Sequence, residues 1–227
     1  MGTIFNFLLK GIPLTFLVAI GAWALSALVA VPVVAASRSR FRVLRAVADA
    51  FTMSMRGVPE LVALFVVYFG LQGTIPMSPV TAAILTFGVV ESPFVSEIYR
   101  AALTTVRAGQ RDAAESIGLD RMRVFTDVIV PQAVRFAIPP MLNMLIGMLN
   151  LSSVASAIDV HDIIFRGQLI FNSSSTGSTF LNAAVGICLV YLVMVIPLSI
   201  ICGIAEWALR VERRPFRIRA PWRLSPA

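Results

Sequence analysis

Asp112-Ala113-Ala114-Glu115-Ser116-Ile117-Gly118, followed by Val128-Ile129-Val130-Pro131, forms a polar island between two long apolar runs. Gln110 to Ile117 contains good helix formers. The small side chains of Ala113 and Ala114 would let another protein approach the helix backbone closely. Gly118 suits the left-handed residue that ends a helix, and Asp120 suits the cap of a following one. Met122, Phe125, Val128 and Ile129 recur at three and four residues, which predicts one apolar stripe. Pro131 is expected to stop that second helix. The predicted form is two short helices joined by a sharp turn. Its greasy face would be anchored, and its small or charged face would be free to enter a groove on a soluble partner. An amphipathic loop resting on lipid headgroups is the plainer alternative.

The surroundings of this island are too apolar for water. The chain has 227 residues, 58% hydrophobic and 14% charged, where a soluble domain carries roughly a quarter charged residues. Its apolar runs are continuous, unlike the alternating short segments of a membrane barrel. Helices of about 20 residues crossing a bilayer are therefore expected. The net charge of +7 reads as arginine-rich cytoplasmic loops, with no nucleic acid partner. Cys188 and Cys202 share one apolar run and are expected as unbridged, buried thiols.

Five spans are predicted, at about 12–36, 46–71, 80–99, 138–158 and 180–209, in a single domain covering 1–227. The polar segment at about 107–131 lies between spans three and four, and a basic tail occupies 210–227. Arg38, Arg40, Arg42 and Arg45 follow span one, and Arg100, Arg107, Arg111, Arg121, Arg123 and Arg135 surround the polar island. The tail carries Arg210, Arg213 and Arg214, with further arginines beyond. The intervening loops hold only Arg166, and Lys10 precedes span one. The positive-inside rule then puts the N-terminus outside and the C-terminus in the cytoplasm. A serine-rich loop over 172–178 would precede span five.

The spacing of the polar island resembles the coupling loop of bacterial ABC importer permeases. There Glu-Ala-Ala is followed by three residues, Gly, nine residues, Ile, one residue and Leu-Pro. Asp112 stands for the Glu, Val128 for the Ile and Val130 for the Leu, while Gly118 and Pro131 are kept. The likeness extends to Arg56-Gly57-Val58-Pro59, Tyr68-Phe69-Gly70-Leu71, Glu97-Ile98-Tyr99-Arg100 and Gly109-Gln110, as in the histidine, glutamine and arginine-type polar amino acid permeases. The resemblance implies an all-α, polytopic, type I importer-like subunit of the bacterial inner membrane. Asp112, Ala113, Ala114, Glu115, Gly118 and Pro131 would couple it to separate ABC ATPase subunits. It further implies a second permease chain, identical or paralogous, and a periplasmic solute-binding protein. No phosphate-loop motif is present, so no cofactor is expected on this chain and ATP with Mg would sit on the partner ATPases. One departure stands out: where relatives have Lys followed by Asp or Asn before two hydroxyl residues, this chain reads Asn150-Leu151-Ser152-Ser153.

Candidate residues for the solute path are Arg56, Glu60, Glu91, Asn143, Asn150, Ser152 and Ser153. Glu91 falls near mid-span, where an ionisable group lines a solute route or forms a structural pair, with Arg56 as the obvious partner. Pro93 would free backbone carbonyls that can line a cavity. Arg56 and Glu60, four apart, would share a helix face unless Pro59 kinks it. Asn143, Ser152 and Ser153 would bond across helices or line the path. Glu97 and Arg100 are expected to pair at the headgroups, and His161 and Asp162 to be solvated loop residues. Two rivals carry other mechanisms. An ion-gradient secondary transporter would need a carboxylate relay, for which Glu60 and Glu91 are a thin basis. A non-transporting scaffold could use the same loop to recruit a soluble partner.

Overall fold

In the computed structural model, which describes residues 2–173 and 177–209, the described chain is helical throughout. In chain order the helices are α1 (Gly2–Leu9), α2 (Ile12–Ser37), α3 (Arg42–Gly57), α4 (Glu60–Leu71), α5 (Pro79–Thr105) and α6 (Ala108–Ser116). There follows one long run made of α7 (Arg121–Arg123), a π segment (Val124–Ile129), α8 (Val130–Leu151) and a 3-10 segment (Ser152–Ile158). Then come α9 (Ile163–Ser173) and α10 (Gly177–Leu209). Among the described residues, four runs are long and apolar enough to cross a membrane: Ile4–Ser37, Pro79–Thr105, Arg121–Ile158 and Thr179–Leu209.

The expected second span is not one helix. α3 and α4 meet at a 99° bend. Val58 is extended at ψ 124°, as a residue before proline prefers, and Pro59 follows at ψ 133°. Arg56 and Glu60 therefore lie on different helices and share no face. Taken together the two pieces are long and apolar enough for a fifth crossing, as a broken span or a re-entrant loop. The break lies deep: the Arg56 guanidinium sits 5.1 Å from the ring centroid of Phe94, in the middle third of α5.

Other boundaries also move. α5 continues past Tyr99 to Thr105. Of the expected loop over 172–178, residues 172–173 belong to α9 and 177–178 to α10, while 174–176 lie outside the described residues. Pro131 does not stop a helix. It enters the first turn of α8, directly after a π segment in which Val130 N donates to Phe125 O, five residues back. That wider turn absorbs a residue that cannot donate and whose ring crowds the preceding turn. Cys202 is buried as expected, but Cys188 is exposed on α10; both thiols are free. The tail beyond Leu209 lies outside the described residues.

α2 packs most extensively on α5, and α8 packs on α2, α5 and α10. A Cβ on Gly88 would stand 2.7 Å from Leu25, so the α2–α5 crossing depends on a missing side chain. Phe87, Leu64, Leu149 and Val18 fill the centre of the bundle. The chain's ends sort into two poles. At one pole Ala102 of α5 and Val106, just past its end, meet Ala133 and Ala137 of α8. At the other, Gly11 lies against the backbone of Asp162 and Ile163. The first pole carries the arginines of the α2–α3 and α5–α8 connections.

Candidate functional site: a docking hairpin and a broken helix

The polar island forms a hairpin at the basic pole. α6 ends at Glu115–Ser116, and Gly118 takes φ +87°, the left-handed turn its sequence signalled. Leu119 N donates to Ala114 O at 3.2 Å, which closes the turn. Asp120 then caps the next run by accepting from Arg123 N at 2.8 Å. Arg111 pairs with Glu115 at 3.1 Å along the exposed side of α6, and Ser116 Oγ donates to Asp112 O.

The two alanines have different surroundings. Ala113 is exposed, whereas Ala114 is buried. Adjacent positions on a helix are about 100° apart, so both cannot face the same partner. The expected apolar stripe changes as well. Val124 is the buried anchor, while Met122 is 69% exposed, because the π segment shifts the register by which the 3.6-residue stripe was read. Ile117 is 79% exposed and flanks Ala113 one turn on. Ala113, Ile117 and Met122 are thus exposed on the two sides of the turn at Gly118. In the sequence Met122 reads as part of the apolar stripe, and Ile117 only as an apolar residue inside a polar stretch.

The second candidate region surrounds the helix break. Glu60, in the first turn of α4, and Glu91, midway along α5, lie close enough for their charges to interact. Arg56 lies over Phe94, and among the described residues no ion pair joins it to either carboxylate, so the expected Arg56–Glu91 pair is not formed. α4 starts with no side-chain cap, leaving first-turn N–H groups for another acceptor. The carbonyl freed by Pro93 is not available to a cavity, because Ser92 Oγ donates to Val89 O at 2.7 Å. Glu97 and Arg100 form the expected ion pair.

On α8 and the 3-10 segment after it, the candidates separate. Ser152 Oγ donates to Leu149 O and Ser153 Oγ to Asn150 O, both at 2.7 Å and both within their own run rather than across helices. Asn143, Gly147 and Asn150 are all exposed. Their spacing of four and three makes one polar stripe along a membrane-length helix. The 3-10 segment that follows has seven residues and ends at Asp159, which is left-handed at φ 70°. So long a 3-10 run is uncommon and marks a point of give.

Asp162 is not a solvated loop residue. It is 1% exposed, and its Oδ1 accepts from Phe165 N at 2.8 Å at the start of α9. Its Oδ2, Arg166 Nε and Tyr191 OH are buried without a hydrogen-bond partner among the described residues. Burial pushes the Asp162 carboxyl up to about 7, against the lowering effect of the backbone N–H groups. His161, by contrast, is exposed and lies 3.7 Å from Asp159.

The chain has clear relatives. It is 34% identical over 167 residues to a probable amino-acid ABC transporter permease, YckA, of Bacillus subtilis, covering 73% of this chain and 74% of that one. It is 30% identical over 217 residues to the probable amino-acid permease YxeN of Bacillus subtilis, covering 94% of each. Among solved structures, an amino acid ABC transporter crystallised with histidines matches with a TM-score of 0.81 at 26% identity, covering 89% of this chain and 94% of that one. Residues 28–211 match the model of the binding-protein-dependent transport system inner membrane component. This chain therefore belongs to the family of inner membrane components of binding-protein-dependent transport systems.

Proposed function

We propose that the chain is the permease subunit of an ATP-driven importer of polar amino acids, with ATP hydrolysed on separate subunits docked at the α6 hairpin. The observation that carries this reading is the hairpin at the basic pole. It offers Ala113, Ile117 and Met122 around a left-handed Gly118. α6 packs on the π segment, which runs into α8 and on to Ile158 without a break. A push on α6 would therefore reach the membrane-length helix directly. The arginine-rich pole faces the cytoplasm by the positive-inside rule, which leaves the N-terminus outside. A solute-binding protein would dock at the opposite pole, and a second permease chain would face the Asn143–Asn150 stripe. Names of the relatives support the amino acid assignment.

The solute would pass the break between α3 and α4. Non-helical backbone at membrane depth is tolerated where it lines protein or a wet cavity. The uncapped start of α4 suits an α-carboxylate, while Glu60 and Glu91 suit an amino group or a cationic side chain. A cationic amino acid or an opine-like compound fits both. Arg56, held by Phe94, is free to meet the solute instead of neutralising Glu91.

The test is uptake in proteoliposomes holding the chain with its ATPase and binding-protein partners. Uptake is expected to require ATP, and Glu91→Gln is expected to reduce uptake of cationic amino acids about tenfold more than that of neutral ones, a difference of ~1.4 kcal/mol. Uptake that persists without ATP would overturn the coupling. Equal losses for both solutes would overturn the charge role.

A further inference from the structure

Near the basic pole, α2, α5 and the α8 run enclose an apolar groove of about 550 Å³, within the range that holds a ligand. Trp23, Val34, Leu103, Phe125, Val134 and Met141 are among its walls. Its polar atoms are already spent: Trp23 Nε1 donates to Met141 O at 2.8 Å, and Tyr99 OH donates to Ala27 O at 3.3 Å. The lining thus asks for an occupant without hydrogen-bonding groups along its length. The chain just past two of its walls is basic. Arg38 follows Val34 by one turn at the end of α2, and Arg107 follows Leu103 by four residues just past α5. Both are exposed, and neither forms an ion pair among the described residues.

We propose that this groove holds an acyl chain of an anionic phospholipid from the cytoplasmic leaflet, with its phosphate on Arg38 and Arg107. The reading rests on the orientation given above, since that leaflet is the one whose anionic lipids meet basic juxtamembrane clusters. A second copy of the chain is the poorer occupant. A two-fold interface would set the same patch against itself, bringing the arginines beside it together. Phe125 belongs to the π segment and Val134 to α8, so the lipid would sit where the docking hairpin joins the spans.

The experiment is native mass spectrometry of the assembled transporter, released from nanodiscs containing equal dioleoyl phosphatidylglycerol and dioleoyl phosphatidylcholine. Phosphatidylglycerol is expected to be retained several-fold over phosphatidylcholine. Val134→Trp places bulk in the groove from a half-exposed position and is expected to abolish retention of both lipids. The exposed pair Arg38→Gln and Arg107→Gln is expected to erase the preference while keeping chain binding. Equal retention of the two lipids by the unmodified chain would overturn the proposal. So would unchanged retention in Val134→Trp, or a Val134→Cys crosslink to a second copy of the chain. Labelling of Arg38→Cys from the periplasmic side would instead overturn the orientation.

Discussion

At the scale of single residues, substitutions at Ala113 and Ala114 would test docking and packing separately. Ala113→Arg adds bulk and charge to an exposed position. It is expected to abolish stimulation of the partner ATPase while leaving the melting temperature of the detergent-solubilised chain unchanged. Ala114→Arg forces a guanidinium into a site only 6% exposed. It is expected to cost about 1–3 kcal/mol of stability and to lower the melting temperature. Asp162 gives a second test. The folded chain holds this proton to about pH 7, whereas an unfolded aspartate releases it near ~3.9. The folded state binds more protons between those values, so this group's contribution to stability falls as pH rises through that window and levels above it. Asp162→Asn is expected to raise the melting temperature more at pH 8 than at pH 4. An equal effect at both would show that Asp162 does not carry the proton.

At the scale of elements, the turn chemistry was legible and the helix register was not. Gly118 and Asp120 do what their residue types foretell, because left-handed backbone and N-capping are local properties. Pro131 and the stripe from Met122 to Ile129 misled, because a π segment spends one extra residue per turn and periodicity read at 3.6 cannot register it. Pro59 was readable as a kink, but the size of the bend, 99°, is not a property the dipeptide alone prints in the sequence. Deleting Arg135, in the regular α-helical part of α8, is expected to rotate the hairpin by about 100° relative to the rest of α8. Uptake is then expected to be lost, while protease protection shows the spans still inserted. Unimpaired uptake in that deletion would show that the register of the hairpin is irrelevant to coupling.

At the scale of the whole molecule, the number of spans and their poles follow from apolar length and arginine placement, both visible in the sequence. Composition alone could not bring Glu60, Glu91, Arg56 and Phe94 to one depth; that takes the broken second span and its contact with α5. Nor could it show that Asp162 is buried, since residues from α1 to α10 close around a loop that looks polar. The α2–α5 crossing holds this frame. Gly88→Val would put side-chain atoms into Leu25, and overpacking of that kind costs about 1–3 kcal/mol. It is expected to lower thermal stability in detergent and the yield of assembled transporter together.

Transmission of work from an ATPase through the hairpin is most directly read by disulfide crosslinking. Ala113→Cys, in a chain carrying Cys188→Ser and Cys202→Ala, would be oxidised in the assembled transporter against single cysteines along the ATPase surface. A crosslink at Ala113→Cys whose yield changes between the nucleotide-free and ATP-bound states is the expected result. A hairpin that forms no crosslink with the ATPase in either state, in a transporter that still takes up solute, would contradict it.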